Sequence, residues 1–180
     1  MSKNKDQRTY EFWTDQIARK ALERKKFFYL DEPMKIFDKF TVKTSASISG
    51  VLHIGRLSDT IRGEAVTRSL KDMGLDAEII WVAEDMDPLR KVPEGVPKNY
   101  IEYIGVPVTD IPDPFGCHKT YAEHHTSKYF EVIDDFISLD MEKFSMREEY
   151  KKGNFNFTHH KLINSKWVRY NFCLFFLIKG

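Results

Sequence analysis

Apolar positions recur along this chain with two different rhythms. In YEFWTDQIARKALERKKFF, residues 10–28, Trp13, Ile17 and Ala21 fall four apart with charges on the other face, the spacing of an amphipathic helix. KFTVKTSA, residues 39–46, is rich in β-branched and aromatic residues and predicts a strand. Helical spacing returns over 53–73, where Ile54, Leu57, Ile61, Ala65 and Leu70 fall roughly on one face. Gly74 then supplies a left-handed stop. AEIIWVA, residues 77–83, reads as a buried strand. Strand, helix and strand in this order make a βαβ unit, the building block of a parallel sheet in an α/β fold.

The rhythm breaks between Asp85 and Gly116. Six of the seven prolines lie there, and only a short helix near Tyr100 fits. Tyr100, Ile101, Ile104, Ile111 and Phe115 predict that this long segment is an ordered insertion. Residues 119–138 then predict a second amphipathic helix, with Tyr121, Phe130, Ile133 and Phe136 toward a core. Residues 151–180 differ again, with six basic residues, no acidic one, and five of the fourteen phenylalanines. No internal repeat is visible. The expected organisation is an N-terminal helical segment over 1–38, a nucleotide-binding unit over 39–150 and a divergent tail over 151–180.

Composition narrows the function classes. A net charge of +1 gives no global basic field for nucleic acid, although a local basic surface remains open. The charged N-terminus has no apolar core and is not a secretory signal. The apolar run FCLFFLI is too short to span a bilayer. Cys117 and Cys173 do not make a disulfide framework, so a reducing cytoplasm is the expected setting.

Chemistry concentrates at three places. The first is SASISGVLHIGRLSD, residues 45–59. A phosphate site on a βαβ unit needs close backbone approach, free N–H groups at a helix N-terminus and a donor near the reacting charge. Gly50 and Gly55, a helix opening near Leu52, and His53 at its first turn supply these. The pattern is neither G-x-G-x-x-G nor a P-loop, and the stretch alone also fits an ordinary turn. The second place is the end of the 77–83 strand, where Glu84, Asp85 and Asp87 lie at the edge at which open α/β sheets bind ligands. A carboxylate there suits an ammonium or a ribose hydroxyl, and a solvated acidic loop fits equally well.

The third place is a window of thirteen residues holding Asp113, Cys117, His118, His124 and His125. These are zinc-ligand types, although the spacing is not that of a common finger. Cys117 and His124 are seven apart, roughly 10.5 Å along a helix, so they cannot share one ion from a continuous helix. Cys117 and His118 must lie in a loop that turns back on His124, and Pro114 and Gly116 suit that bend. A helix with two core-edge histidines and a buried cysteine is the alternative.

Together, SISGVLHIG, DMDPLRKVPEGVP and VTDIPDPFGCHKTYAEHH, in that order, resemble the class I lysyl-tRNA synthetases, the mainly archaeal form. The resemblance covers roughly residues 10–155 and implies a Rossmann-like nucleotide-binding domain that activates L-lysine with ATP and Mg2+ and acylates tRNA(Lys). It implies that His53 and Gly55 are catalytic, at the first and third positions of the HIGH signature. It further implies ATP binding by Ser49, Gly50, Ile54 and Arg56, and lysine binding by Ser45, Ser47, Asp85 and Asp87. Asp113, Cys117, His118 and His124 match the family's zinc ligands, and His125 stands outside the set. Arg56 stands where asparagine or histidine is usual, Ile48 where proline is, Ser47 where threonine is, and Ser45 where glycine is. The lysine-rich second signature and the anticodon-binding domain of the family have no counterpart here. The chain is therefore expected to be the N-terminal half of a catalytic domain, unable to complete aminoacylation alone. Another nucleotidyltransferase of the same fold, or a non-catalytic zinc-stapled binding module, are the competing readings.

Overall fold

The computed structural model describes residues 11–24, 39–51 and 53–155. Among them run α1 (Trp13–Leu22), β1 (Lys39–Ser47), α2 (Ile54–Asp72), β2 (Asp76–Glu84), a 3-10 helix (Lys98–Tyr103), α3 (Tyr121–Ile133), β3 (Met141–Ser145) and α4 (Met146–Lys151). The three strands form one parallel sheet in the order β1-β2-β3. The βαβ expectation therefore holds, with both strands running one residue beyond the sequence estimate at their C-terminal ends. The tail beyond 155, and the ends of the N-terminal helical expectation, lie outside the described residues.

The alternation in β1 divides the sheet into two unlike faces. Val42 and Thr44 meet α2 together with Ile79 of β2. The opposite face is polar along β1, where Thr41 bonds Glu78 at 2.8 Å, Ser45 bonds Glu84 at 2.7 Å and Lys39 pairs with Glu78 at 2.5 Å, although Ile80 and Val82 of β2 share it. The helix-facing side carries the main core, where Trp81, Ile79, Leu89, Val108, Ile111, Tyr121 and Ile133 are all essentially inaccessible to water. Trp81 stacks on Tyr129 at 5.1 Å between ring centroids and meets Phe130 edge-on at the same distance.

Gly63 explains how closely α2 lies on the sheet. A Cβ built there would sit 2.3 Å from Thr44 Cγ2, on a β-branched, buried side chain with no room to withdraw. Overpacking costs about 1–3 kcal/mol, and alanine returns up to about 1 kcal/mol of helix propensity. Gly63→Ala is therefore expected to lose about 1–2 kcal/mol in chemical denaturation. An unchanged midpoint would show that the helix can lift off the sheet freely.

The buried face of α2 is more polar than its apolar periodicity predicts. Thr60, Glu64 and Thr67 are buried beside Leu57 and Leu70, whereas Ile54 is 74% exposed. Glu64 is the joint between α2 and the turn before β3. One carboxylate oxygen accepts from Ser138 N at 2.9 Å, Ser138 Oγ at 2.8 Å, Leu139 N at 3.2 Å and Arg68 Nε at 3.1 Å. Burial alone would raise the Glu64 carboxyl, but the Ser138 and Arg68 donors outweigh it and hold it below the usual carboxylate value. A native pKa below the unfolded one gives stability that is present above about pH 4.3 and is lost as pH falls through the native value. Glu64→Gln is expected to cost about 1.5–3 kcal/mol at pH 7. Urea titrations of variant and wild type should converge in acid, and a gap that persists there would contradict the linkage.

Two sequence expectations need correction. In α1, Ala18 and Thr14 are buried while Trp13 and Ile17 are partly exposed, because α1 meets α2 and Ala77 through its small residues. The insertion is ordered, with Tyr100 and Ile111 buried and Ile101, Ile104 and Phe115 exposed. Leu89 and Val108 also anchor it, tied by Leu89 N to Val106 O at 2.9 Å and Val108 N to Asp87 O at 3.1 Å. The expected helix over 119–138 stops at Ile133, leaving Phe136 exposed. Asp134 and Asp135 oppose the negative end of the helix dipole, and Glu64 takes the amides of Ser138 and Leu139.

Candidate functional site

The turn after β1 places His53 as the N-cap of α2, with extended backbone at φ −110° and ψ 169°. Its Nδ1 accepts a hydrogen bond from Gly55 N at 3.1 Å. A Cβ at residue 55 would lie 2.9 Å from His53 Cε1 and 3.0 Å from Nδ1. The glycine is thus the space in which the imidazole sits, and the two residues work as one unit. Gly50 shows no such crowding, since its virtual Cβ meets only Pro93 Cγ at 3.8 Å. Ile48, at the position usual for proline, is fully buried in the core. Arg56 is half-buried and donates from its guanidinium to Ser47 O, which ties the first turn of α2 to the end of β1.

Ser45 and Ser47 point to the polar sheet face. Ser45 Oγ donates to Glu84 Oε1 at 2.7 Å, and Ser47 Oγ donates to Ser49 Oγ at 3.3 Å. Ser47 and Glu84 are register partners at the C-terminal ends of β1 and β2. Asp85 turns the other way. It is buried, accepts from Arg147 N at 3.0 Å and from Ser145 Oγ, and so holds the start of α4. Asp87 is half-buried, with Arg90 3.9 Å away. The carboxylate that the strand end brings beside the two serines is Glu84, whereas the family resemblance points to Asp85 and Asp87. Its place at the last position of an alternating strand is the signal for that face.

The metal-ligand residues converge. Donor atoms of Asp113, Cys117, His118 and His124 all lie within 4.8 Å of one another. Cys117 Sγ is 3.0 Å from His124 Nδ1, 3.2 Å from His118 Nδ1 and 3.3 Å from Asp113 Oδ2, and Asp113 Oδ1 is 3.5 Å from His124 Nδ1. A tetrahedral ion with ligands at the usual zinc distances separates its donors by about 3.3–3.8 Å, so separations of 3.0–3.5 Å come close to such a site. Asp113 to His118 form the loop and His124 lies in the first turn of α3. Gly116, at φ +72°, supplies the reversal. Thr120 and Glu123 close a capping box that fixes where the helix begins.

Outer contacts orient the ligands. His118 Nε2 pairs with Ser127 Oγ at 2.9 Å, leaving Nδ1 for the centre. Burial would push the Asp113 carboxyl up, but the N–H groups of Phe115, His118 and Cys117 outweigh it and hold it at about 2. His125 is a different case. It is buried in the core, has no hydrogen-bond partner at Nε2 among the described residues, and is pushed down to about 4 by burial and then by His124. A groove of about 490 Å3 is lined by His53, Ile54 and Leu57 at the start of α2 and by Phe115 and residues of α3 from His124 to Ile133.

A parallel sheet, a histidine–glycine turn at the N-terminus of the crossover helix and an inserted loop before the next strand define a class I synthetase-type nucleotide-binding unit. Residues 11–168 match the family model of class I (K) tRNA synthetases, and the chain belongs to that family. The match extends past residue 155, into the compositionally distinct tail. The lysine–tRNA ligase of Methanocaldococcus jannaschii is 36% identical over 141 residues, 78% of this chain and 24% of that protein. The lysine–tRNA ligase of Methanosphaera stadtmanae is 35% identical over the same length. That of Cenarchaeum symbiosum is 33% identical over 153 residues, 85% of this chain and 28% of the relative. The chain thus spans about a quarter of the length of the curated relatives it matches. Among the described residues no helix is long and apolar enough to cross a membrane.

Proposed function

We propose that this chain carries the phosphate-binding half of the catalytic domain of a lysine–tRNA ligase, which activates L-lysine with ATP and Mg2+ and transfers it to tRNA(Lys). The observation that carries the reading is the His53–Gly55 unit at the N-terminus of α2, beyond the C-terminal ends of parallel strands. In adenylation the lysine carboxylate attacks the α-phosphorus of ATP and pyrophosphate leaves, so charge builds on phosphate oxygens. His53 Nε2 and the positive end of the α2 dipole face that charge, while the Gly55 N–H is already taken by His53 Nδ1. Arg56 holds the turn against β1 and adds a cation beside it. Ser49, Gly50 and Ile54 frame the same turn, with Gly50 uncrowded by its surroundings. Ser45 and Ser47 face the substrate side of the sheet end, where Glu84 and Asp87 supply negative charge for lysine. The bonds that Asp85 makes to α4 argue against a direct contact and for a supporting role.

We further infer that Asp113, Cys117, His118 and His124 hold a structural zinc ion. Four protein ligands close the coordination sphere, so the ion fixes the 113–118 loop against α3 and takes no part in the chemistry. A non-hydrolysable lysyl-adenylate sulfamoyl analogue tests the substrate assignment by isothermal titration. The full-length gene product should bind it far more tightly than the corresponding arginyl or glutamyl analogue. Equal affinity for all three would remove lysine as the substrate.

A further inference from the structure

The acidic end of β2 is enclosed by contacts from far along the chain. Asp85 is buried, and both of its oxygens are taken at the start of α4: Oδ1 accepts from Arg147 N at 3.0 Å and Oδ2 from Ser145 Oγ. Asp87 N donates to Glu84 O at 3.4 Å, a turn that ties the backbone positions of Glu84 and Asp87 together. The segment after that turn pairs with the last limb of the insertion. Pro88 and Pro107 form an antiparallel bridge, and Gly105 N donates to Leu89 O at 2.9 Å. Leu89 N donates to Val106 O at 2.9 Å and Val108 N to Asp87 O at 3.1 Å. The same limb continues into the metal-ligand region, since Ala122 N donates to Val108 O at 3.2 Å and Tyr121 N to Ile111 O at 2.9 Å.

Arg147 closes this arrangement into a ring. Its guanidinium Nη1 lies 2.5 Å from both Thr109 Oγ1 and Asp110 Oδ1, and so joins the limb just beyond Val108 to the helix that Asp85 holds. The ring runs from Asp85 through α4 and Arg147 to residues 109–110, then along the limb to Asp87 and through the turn to the strand end. We propose that Arg147 is a positioning residue for the amino-acid substrate: it fixes the 105–110 limb against α4 and thereby sets where the Asp87 carboxylate stands beside Glu84. The inference rests on the ligase reading above, in which these two carboxylates receive the lysine ammonium. Leu89 and Val108 set the depth of the limb in the core, but apolar contacts are non-directional and do not fix its lateral place. A hydrogen-bonded ion pair does. Arg90, 3.9 Å from Asp87, lies on the same loop and moves with it, so it cannot fix that place. The Arg147 and Asp110 side chains are 31% and 45% exposed, and a pair so placed contributes little to stability. Its effect is therefore on placement, where a shift of about 1 Å can cost up to about 100-fold in rate.

The test is the kinetics of lysine-dependent ATP–pyrophosphate exchange by the full-length gene product and its variants. Arg147→Ala should raise KM for lysine about tenfold and leave KM for ATP and kcat within about twofold of wild type. The urea midpoint should change little. Asp110→Ala should show the same pattern. The double variant should be no worse than either single one, because all three remove the same contact. Amide hydrogen exchange at Val108, whose N–H bonds Asp87 O, should be faster in each variant than in wild type. An unmoved KM for lysine, an equal rise in both KM values, or additive effects in the double variant would overturn the proposal. A fall in KM for lysine would also overturn it, since Arg147 would then act only as a charge that repels the substrate. A folded wild type that shows no exchange with lysine sinks the ligase reading and this inference with it. Lysine-dependent exchange with an unmoved KM in Arg147→Ala sinks the inference alone.

Discussion

Cys117→Ala is expected to reduce bound zinc from about one equivalent per chain to a background level, and to lower stability by several kcal/mol. Cys117 is the hub of the cluster, because its sulfur lies 3.0–3.3 Å from donor atoms of the other three ligands. Without it the remaining two imidazoles and one carboxylate are an open set with a bend no longer closed. The cost falls short of the ~10–16 kcal/mol of an isolated zinc peptide. Leu89, Val108 and Ile111 anchor the preceding insertion in the main core whether or not the ion is bound. At about 2–4 °C per kcal/mol for a chain of this size, the loss corresponds to roughly 10 °C in Tm. Metal analysis by mass spectrometry and a thermal scan with and without chelator check both parts. A wild-type chain that binds no zinc, or a Cys117→Ala chain that keeps it, would remove the staple.

The second large effect belongs to His53. His53→Ala in the full-length gene product is expected to lower the rate of lysine activation about 100- to 1000-fold, the usual loss for one donor to developing charge. Because His53 is also the cap of α2, the same change should cost about 0.5–2 kcal/mol in stability. His53→Asn separates the two roles. Asparagine caps a helix well, so stability should return while the rate stays low. Recovery of the rate along with stability would mean that His53 acts only as a cap.

The alternating and helical patterns of 39–83 made the first strand, helix and strand legible from sequence, because each element there has one consistent apolar face. β3 and α4 were not legible. β3 is five residues long with only Met141 buried, and α4 spans only six residues. Their one signal is Ser145 with Glu148 three residues on, where Ser145 Oγ accepts from Glu148 N at 3.2 Å. The bend that brings Cys117 back to His124 could be deduced from helix rise alone, before any coordinates. The choice among Glu84, Asp85 and Asp87 could not, because it depends on which of three adjacent carboxylates the start of α4 consumes. That helix lies sixty residues further along the chain than Asp85. The role of Gly63 is not legible in the sequence for a related reason: its need for a missing side chain appears only once Thr44 is set against it.

The most direct test of the central claim is ATP–pyrophosphate exchange by the full-length gene product, assayed with each of the twenty amino acids in turn. The account predicts exchange with lysine and with no other, abolished to background by His53→Ala. Exchange that depends on a different amino acid, or none with lysine while the protein is folded and zinc-loaded, would contradict it.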